Sequence, residues 1–259
     1  MKKVLLGLTA SLTALAMSAS ASAALVAGDL AFTSYNTQED GFSLASFANI
    51  AANTTVYFSD NEFVSGAFNA GESYFSWNTG ASTIAAGTVV RFSGIDAPTR
   101  AASVGTFSQV TVSGSANTGL SATADILYAY LGTSATAPTT FLSIISSESV
   151  TNTNASIVGT GLTVGNGVTQ LANGAKFADY TGVRTGATTF ATYKPLVYNA
   201  ANWLTVTAAS PTQAGAVPNL NAFTIAPVPE PSEYALLLSG LGLIGFVVRR
   251  RANQRRLGN

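Results

Sequence analysis

The 259-residue chain has no cysteine and no histidine, and only 9% of its residues carry charge. Without cysteine there is no disulfide framework, no thiolate nucleophile and no thiolate metal site. Without histidine, the commonest general base and the commonest transition-metal ligand are missing. The little charge present is unevenly spread. Residues 24–226 hold ten acids against five bases, a net of −5, and the other seven bases sit in the two terminal segments. No basic surface is left to neutralise phosphates, which excludes nucleic acid as a partner. Hydrophobicity is not lacking: 47% of residues are apolar, so low charge here accompanies a folded body and not a disordered one.

The first residues read as an address. Lys2 and Lys3 precede an apolar run at 4–17, and Ala21, Ser22 and Ala23 supply the small residues that signal peptidase requires. The pattern predicts an export signal at 1–23, cut between Ala23 and Ala24. The residues between Ala24 and Pro227 suit one ordinary domain, expected at 24–207 with a linker at 208–228.

Within that body, short runs of aromatic and β-branched residues alternate with Gly, Asn, Asp, Pro, Ser and Thr. They predict strands at 30–35, 55–59, 74–77, 88–93, 106–112, 126–130, 141–145, 203–207 and 222–225. No window carries a helical apolar stripe. The expectation is an all-β chain: a single β-sandwich, immunoglobulin-like or jelly-roll-like, flanked by an N-terminal signal helix and a C-terminal transmembrane helix. An internal echo supports it. "IAANTTVYFS" (50–59) and "IAAGTVVRFS" (84–93) agree at seven of ten positions. Each reads as a tight turn, at Asn53 or Gly87, leading into a strand. One echo falls short of a solenoid. The stretches "AGDLAFTSYNTQEDGFSLASFANIAANTTVYFSDNEF" and "ESYFSWNTGASTIAAGTVVRFSG", with "GLTVGN", "ADYTG" and "NAANW" further on, resemble a domain recurring in exported bacterial proteins. That resemblance spans roughly 27–206 and implies no mechanism.

The chain ends on "VPEPSEYALLLSGLGLIGFVVRRR" and eight further residues. Residues 234–248 form a fifteen-residue run without charge, short of the roughly twenty that a bilayer core requires. The basic cluster Arg249, Arg250 and Arg251 is what the positive-inside rule places in the cytoplasm. Gly240, Gly242 and Gly245 suit a helix face that packs against another membrane helix. A membrane-spanning helix at 234–248 and a cytoplasmic tail at 252–259 are therefore expected. The whole stretch 229–251 resembles the PEP-CTERM sorting signal of Gram-negative bacteria: a Pro-Glu-Pro motif, a short apolar helix and an arginine cluster, in that order. The resemblance implies that Pro229, Glu230 and Pro231 are read by an exosortase, a membrane cysteine protease-transpeptidase that cuts near the motif. Prolines hold the backbone extended and oppose a helix start, which would present an accessible strand there.

Candidate sites in the body are few. Asp60, Asn61 and Glu62 in "SDNEF" offer hard oxygens to calcium, with Glu39, Asp40 and Glu72 as conceivable further ligands; the alternative is an Asx-type turn closing a strand. Paired carboxylates for glycoside hydrolysis remain open among ten acids. Serine chemistry has no histidine and no Gly-x-Ser-x-Gly elbow, so no catalytic residue is assigned. Trp77 and Trp203, with Tyr35, Tyr57, Phe58 and Tyr74, suit either a core or a sugar-stacking face. The expected protein is non-catalytic, an inner-membrane-anchored precursor and then a cell-surface or extracellular product. By the sorting resemblance it accompanies exopolysaccharide and biofilm, with matrix polysaccharide or matrix protein as partner. The alternatives are a secreted carbohydrate-active hydrolase and a calcium-stabilised adhesin.

Overall fold

The computed structural model describes residues 24–116, 119–151, 156–208, 216–227 and 231–256, the last stretch with side chains at 235–249 only. The export signal at 1–23, including Ala23, and the motif residues Pro229 and Glu230 lie outside the described residues.

The strands are β1 (Leu30–Asn36), β2 (Gly41–Ser46), β3 (Thr55–Ser59), β4 (Phe63–Val64), β5 (Ala67–Phe68), β6 (Tyr74–Asn78), β7 (Val89–Ser93) and β8 (Ala101–Ala102). After them come β9 (Thr106–Gln109), β10 (Ile126–Ser134), β11 (Ala137–Ser146), β12 (Thr163–Val164), β13 (Gly167–Gln170), β14 (Phe177–Tyr180) and β15 (Trp203–Val206). A one-turn helix α1 (Lys194–Val197) precedes β15, and the helix α2 (Pro231–Arg256) comes last. One sheet has the order β15-β14-β1-β2-β7-β8, the other β12-β13-β11-β10-β3-β6-β9, and β4 and β5 pair as a separate hairpin. Pairing is antiparallel except where β13 meets β11 and β12. The all-β expectation holds.

The period-2 pattern explains how the sheets share a core. In β3, Val56 and Phe58 enter the main core while Tyr57 faces the other way. In β7, Val90 and Phe92 enter the same core from the opposite sheet. The two Phe rings meet 5.3 Å apart, and Phe42 stacks on Phe92 at 4.7 Å. Such ring pairs add about 0.5–1.5 kcal/mol each beyond burial. The strand β10 buries both faces: Leu127 and Ala129 join the main core, and Ile126, Tyr128 and Tyr130 form a second one. The β4–β5 hairpin, through Phe63 and Phe68, covers that second core together with Val150 and Leu162.

Three expectations need correction. Residues 216–227, read as part of a linker, lie on the body: Phe223 is 1% exposed and belongs to the main core. A backbone without charge but with one well-placed Phe can still dock. Second, Pro231 opens α2 instead of opposing it; at a first helical position the missing N–H costs nothing. Third, the run 234–248 is helical, yet among the described residues no helix is long and apolar enough to cross a membrane. Fifteen residues rise about 22 Å, against a hydrocarbon core of about 30 Å. Arg249, Arg250 and Arg251 continue α2, which runs on to Arg256 through most of the expected tail.

Candidate functional site

Strand order brings the acids of "SDNEF" and three others to one end of the seven-stranded sheet. Ser59 pairs with Tyr128 on β10 and with Tyr74 on β6, and Ile126 pairs with Ser146 on β11. Asp60 therefore leaves β3 at the level where Glu72 and Ser73 enter β6, Asp125 enters β10, and Ser147 and Glu148 leave β11. Four neighbouring strands deliver these residues together, from sequence positions nearly ninety apart.

Each buried carboxyl is held by backbone donors. Ser73 N–H donates to Asp60 Oδ1 at 2.6 Å, while Asp60 Oδ2 is buried without a hydrogen-bond partner. The Asp125 carboxylate accepts from Ser121 N–H at 2.6 Å and from Ile126 N–H at 2.7 Å. Its backbone N–H donates to Ser147 Oγ at 2.9 Å, and Tyr35 from the opposite sheet reaches the same hydroxyl at 3.4 Å. Among the described residues, the ion pairs Glu39–Arg91 and Asp29–Lys194 lie outside this group.

Burial of a carboxyl favours its protonated form. It pushes Asp60 up to about 7, with the Glu72 charge adding to the effect. Glu72 is likewise pushed up to about 7, by burial first and then by Glu62 and Glu148. Asp125 is held well above the carboxylate range by burial and then by Asp60. Burial also raises the Tyr35 phenol, with Asp125 next. Burial and the mutual repulsion of these carboxyls both favour their protonated forms.

The predicted calcium trio does not converge. Asn61 spends its amide on the turn: Nδ2 donates to Ser59 Oγ and to the Ser73 carbonyl, and Oδ1 accepts from Glu72 N–H at 3.0 Å. Glu62 accepts instead from the side chain of Asn69. Of the further ligands considered, Glu39 pairs with Arg91. Asp40 accepts from Leu120 N–H at 2.6 Å, and burial pushes it up to about 6, with the Asp96 charge also raising it. Among the described residues no three carboxylates come together closely enough to hold a metal ion. The Asx-turn alternative describes Asn61 better. Signs of this outcome were thin in the sequence, since a turn and a ligand loop use the same residue types.

Asp60 is 1% and Asp125 6% exposed, so neither meets a polymer from solvent. Both tryptophans are core residues. Trp77 donates its indole N–H to the Val104 carbonyl at 2.8 Å and Trp203 to that of Val197 at 2.7 Å. Neither offers a face to a sugar ring. Sequence reasoning missed the buried Asp125, whose only sign is its place before an apolar strand.

The other functional element is the tail. Its described apolar residues, including Leu236, Leu238, Leu241, Leu243, Ile244 and Phe246, are exposed around α2. Residues 227–251 match the family model of the PEP-CTERM protein-sorting motif. No curated protein and no solved structure matches the chain. The chain thus carries a PEP-CTERM sorting motif, consistent with a substrate of an exosortase, and the motif implies export through a membrane-anchored precursor to the cell surface.

Proposed function

We propose that this is a non-catalytic display protein of the bacterial surface or extracellular matrix: a β-sandwich body delivered by its sorting tail and associated with exopolysaccharide. The match of residues 227–251 to the sorting motif carries this reading. The body is consistent with it. Its inward carboxyls are buried, its tryptophans are spent on the core, and charged residues make up only 9% of the chain. A surface of hydroxyls and amides engages neutral polymers through hydrogen bonds that salt scarcely screens. The exposed apolar run at 235–248 of α2 requires an apolar surrounding, which a membrane supplies to the precursor.

The test has two arms. The chain is expressed in cells with and without an exosortase, alongside a variant with Pro229, Glu230 and Pro231 all replaced by alanine. Mass spectrometry of the released protein should show a shortened form that depends on both the enzyme and the motif. The released body is then incubated with acidic and neutral bacterial polysaccharides. Retention on the polymer with unchanged chain length supports the reading, whereas shortening of the polymer means that the body is a hydrolase.

A further inference from the structure

The chain leaves the six-stranded sheet at Val206 and comes back as a strap, residues 216–227, immediately before the sorting motif. The strap is held along its length. Asp179 accepts from Asn219 N–H at 3.3 Å, and Arg184 donates to the Asn221 carbonyl at 3.0 Å. Phe223 N–H reaches the Gly87 carbonyl at 2.8 Å, Thr224 N–H the Arg184 carbonyl at 2.8 Å, and Ala226 N–H the Ala187 carbonyl at 2.7 Å. Tyr193 donates its hydroxyl to the Thr224 carbonyl at 2.6 Å. The Phe223 ring meets Phe47 and Tyr193, both at 5.1 Å, stacks on Tyr180 at 5.8 Å, and lies 4.8 Å from the Arg184 guanidinium.

Arg184 is 6% exposed in a chain that has few charges to bury. Its guanidinium is shared between the Asn221 and Tyr180 carbonyls, with the rings of Tyr180 and Phe223 beside it. The seat also explains a glycine. A Cβ on Gly87 would come 2.1 Å from the Phe223 carbonyl oxygen and 2.9 Å from the Phe190 ring. Backbone bonds, an aromatic plug, a buried cation and a missing Cβ all serve one short segment. That is the construction of an integral element, where a tether needs none of it.

We propose that the strap is the mount of the displayed protein: it stays seated when the chain is cut at the sorting motif, and the scissile bond lies beyond Ala226. This rests on the sorting function proposed above. Proteolytic cutting requires a segment free of backbone hydrogen bonds and tertiary anchoring. In residues 219–226 the N–H groups of Asn219, Phe223, Thr224 and Ala226 are bonded to the body and the Phe223 ring is buried in its core. The cut exchanges one peptide C–N bond for a bond from the same carbonyl carbon to water or to an acceptor amine or hydroxyl, whose proton passes to the released amine. Cutting before Phe223 would strip the main core of a buried ring. Cutting after Ala226 leaves every contact above in place, and the new C-terminus emerges beside Ala187.

The test uses the full chain in detergent, with the recognition site of a sequence-specific protease replacing residues 209–215. After nicking, the strap fragment should co-elute with the body on size exclusion. Phe223→Ala should release it about tenfold faster or more. Arg184→Lys, which keeps the charge but loses the two-carbonyl grip, should give an intermediate rate and guards against a Phe223 variant that fails to fold. Prompt separation of the unsubstituted fragment overturns the proposal. In exosortase-bearing cells the C-terminal peptide of the processed protein should end at or beyond Ala226, and a terminus before Phe223 would equally overturn it. Absence of any processed form counts against the sorting function alone, because the nicked protein still reports on the strap.

Discussion

The two echoed segments, 50–59 and 84–93, have nearly the same sequence and different surroundings. Locally they are copies. Asn53 and Gly87 both take positive φ, +57° and +90°. In each, the following Thr hydroxyl donates to the carbonyl three residues back: Thr54 to Ala51 at 2.8 Å, Thr88 to Ala85 at 2.7 Å. Ile50 and Ile84 exchange both backbone bonds, at 2.9 and 3.0 Å, so the copies lie side by side before diverging into opposite sheets. Beyond this the resemblance stops. The Asn53 N–H donates to the Gly80 carbonyl, whereas Gly87 lies under the strap. Tyr57 faces the second core, and its counterpart Arg91 pairs with Glu39. After the shared Phe-Ser, one segment runs into the buried Asp60 and the other into Gly94. Ten residues set a turn and a strand; the neighbours assign each copy its task.

Making each copy resemble the other tests this division. Gly87→Asn, harmless in the first copy, should unseat the strap and cost about 3 kcal/mol, comparable to losing a buried aromatic. For a domain of this size that is a fall in Tm of about 6–12 °C, read by calorimetry. Tyr57→Arg should come next, at about 1–3 kcal/mol, because it sets an unpaired charge where Tyr57 now stacks 6.0 Å from Tyr130. The reverse change, Arg91→Tyr, gives up one partly exposed ion pair and should cost about 0.5 kcal/mol.

The third contrast is in pH. Asp60 and Glu72 have ordinary values of 3.8 and 4.5 and folded values of about 7. Between about pH 4 and 7 the folded protein therefore keeps protons that the unfolded chain has lost. Stability should be greatest at the acid end of this window and decline as pH rises through it. Melting curves from pH 5 to 8 should show Tm falling with pH, and Asp60→Asn should flatten the decline. A Tm that rises over this range would mean that the cluster is compensated by a bound cation. The smallest effect belongs to the turn itself. Asn53→Gly should change stability by about half a kcal/mol or less, since glycine relieves the left-handed backbone but frees the unfolded chain.

Much of the body was legible because alternating apolar residues and turn formers act locally. The strands predicted at 55–59, 74–77 and 126–130 begin where β3, β6 and β10 do. β2 was not foreseen. "GFSLAS" is fully buried, but half of it is Gly and Ser, whose burial depends on neighbouring strands and not on their own hydrophobicity. The segment at 222–225 showed an apolar pattern and was read as a strand, yet it forms a single bridge, Ala187 with Ile225, and docks through Phe223. The acid cluster was only partly visible: "SDNEF" drew attention to Asp60, with Glu72 considered beside it, while Asp125 joined them through strand order.

The sequence by itself determined the sorting tail, the β character, the absence of cysteine and histidine chemistry, and the two turns at Asn53 and Gly87. All of these depend on composition or on a few adjacent residues. Only the tertiary structure decided that Asp60 is buried beside Glu72 and Asp125, and that the tryptophans serve the core. It alone turned the expected linker into a seated strap. Burial and the pairing of distant strands set those outcomes, and neither is a property of any short stretch of chain.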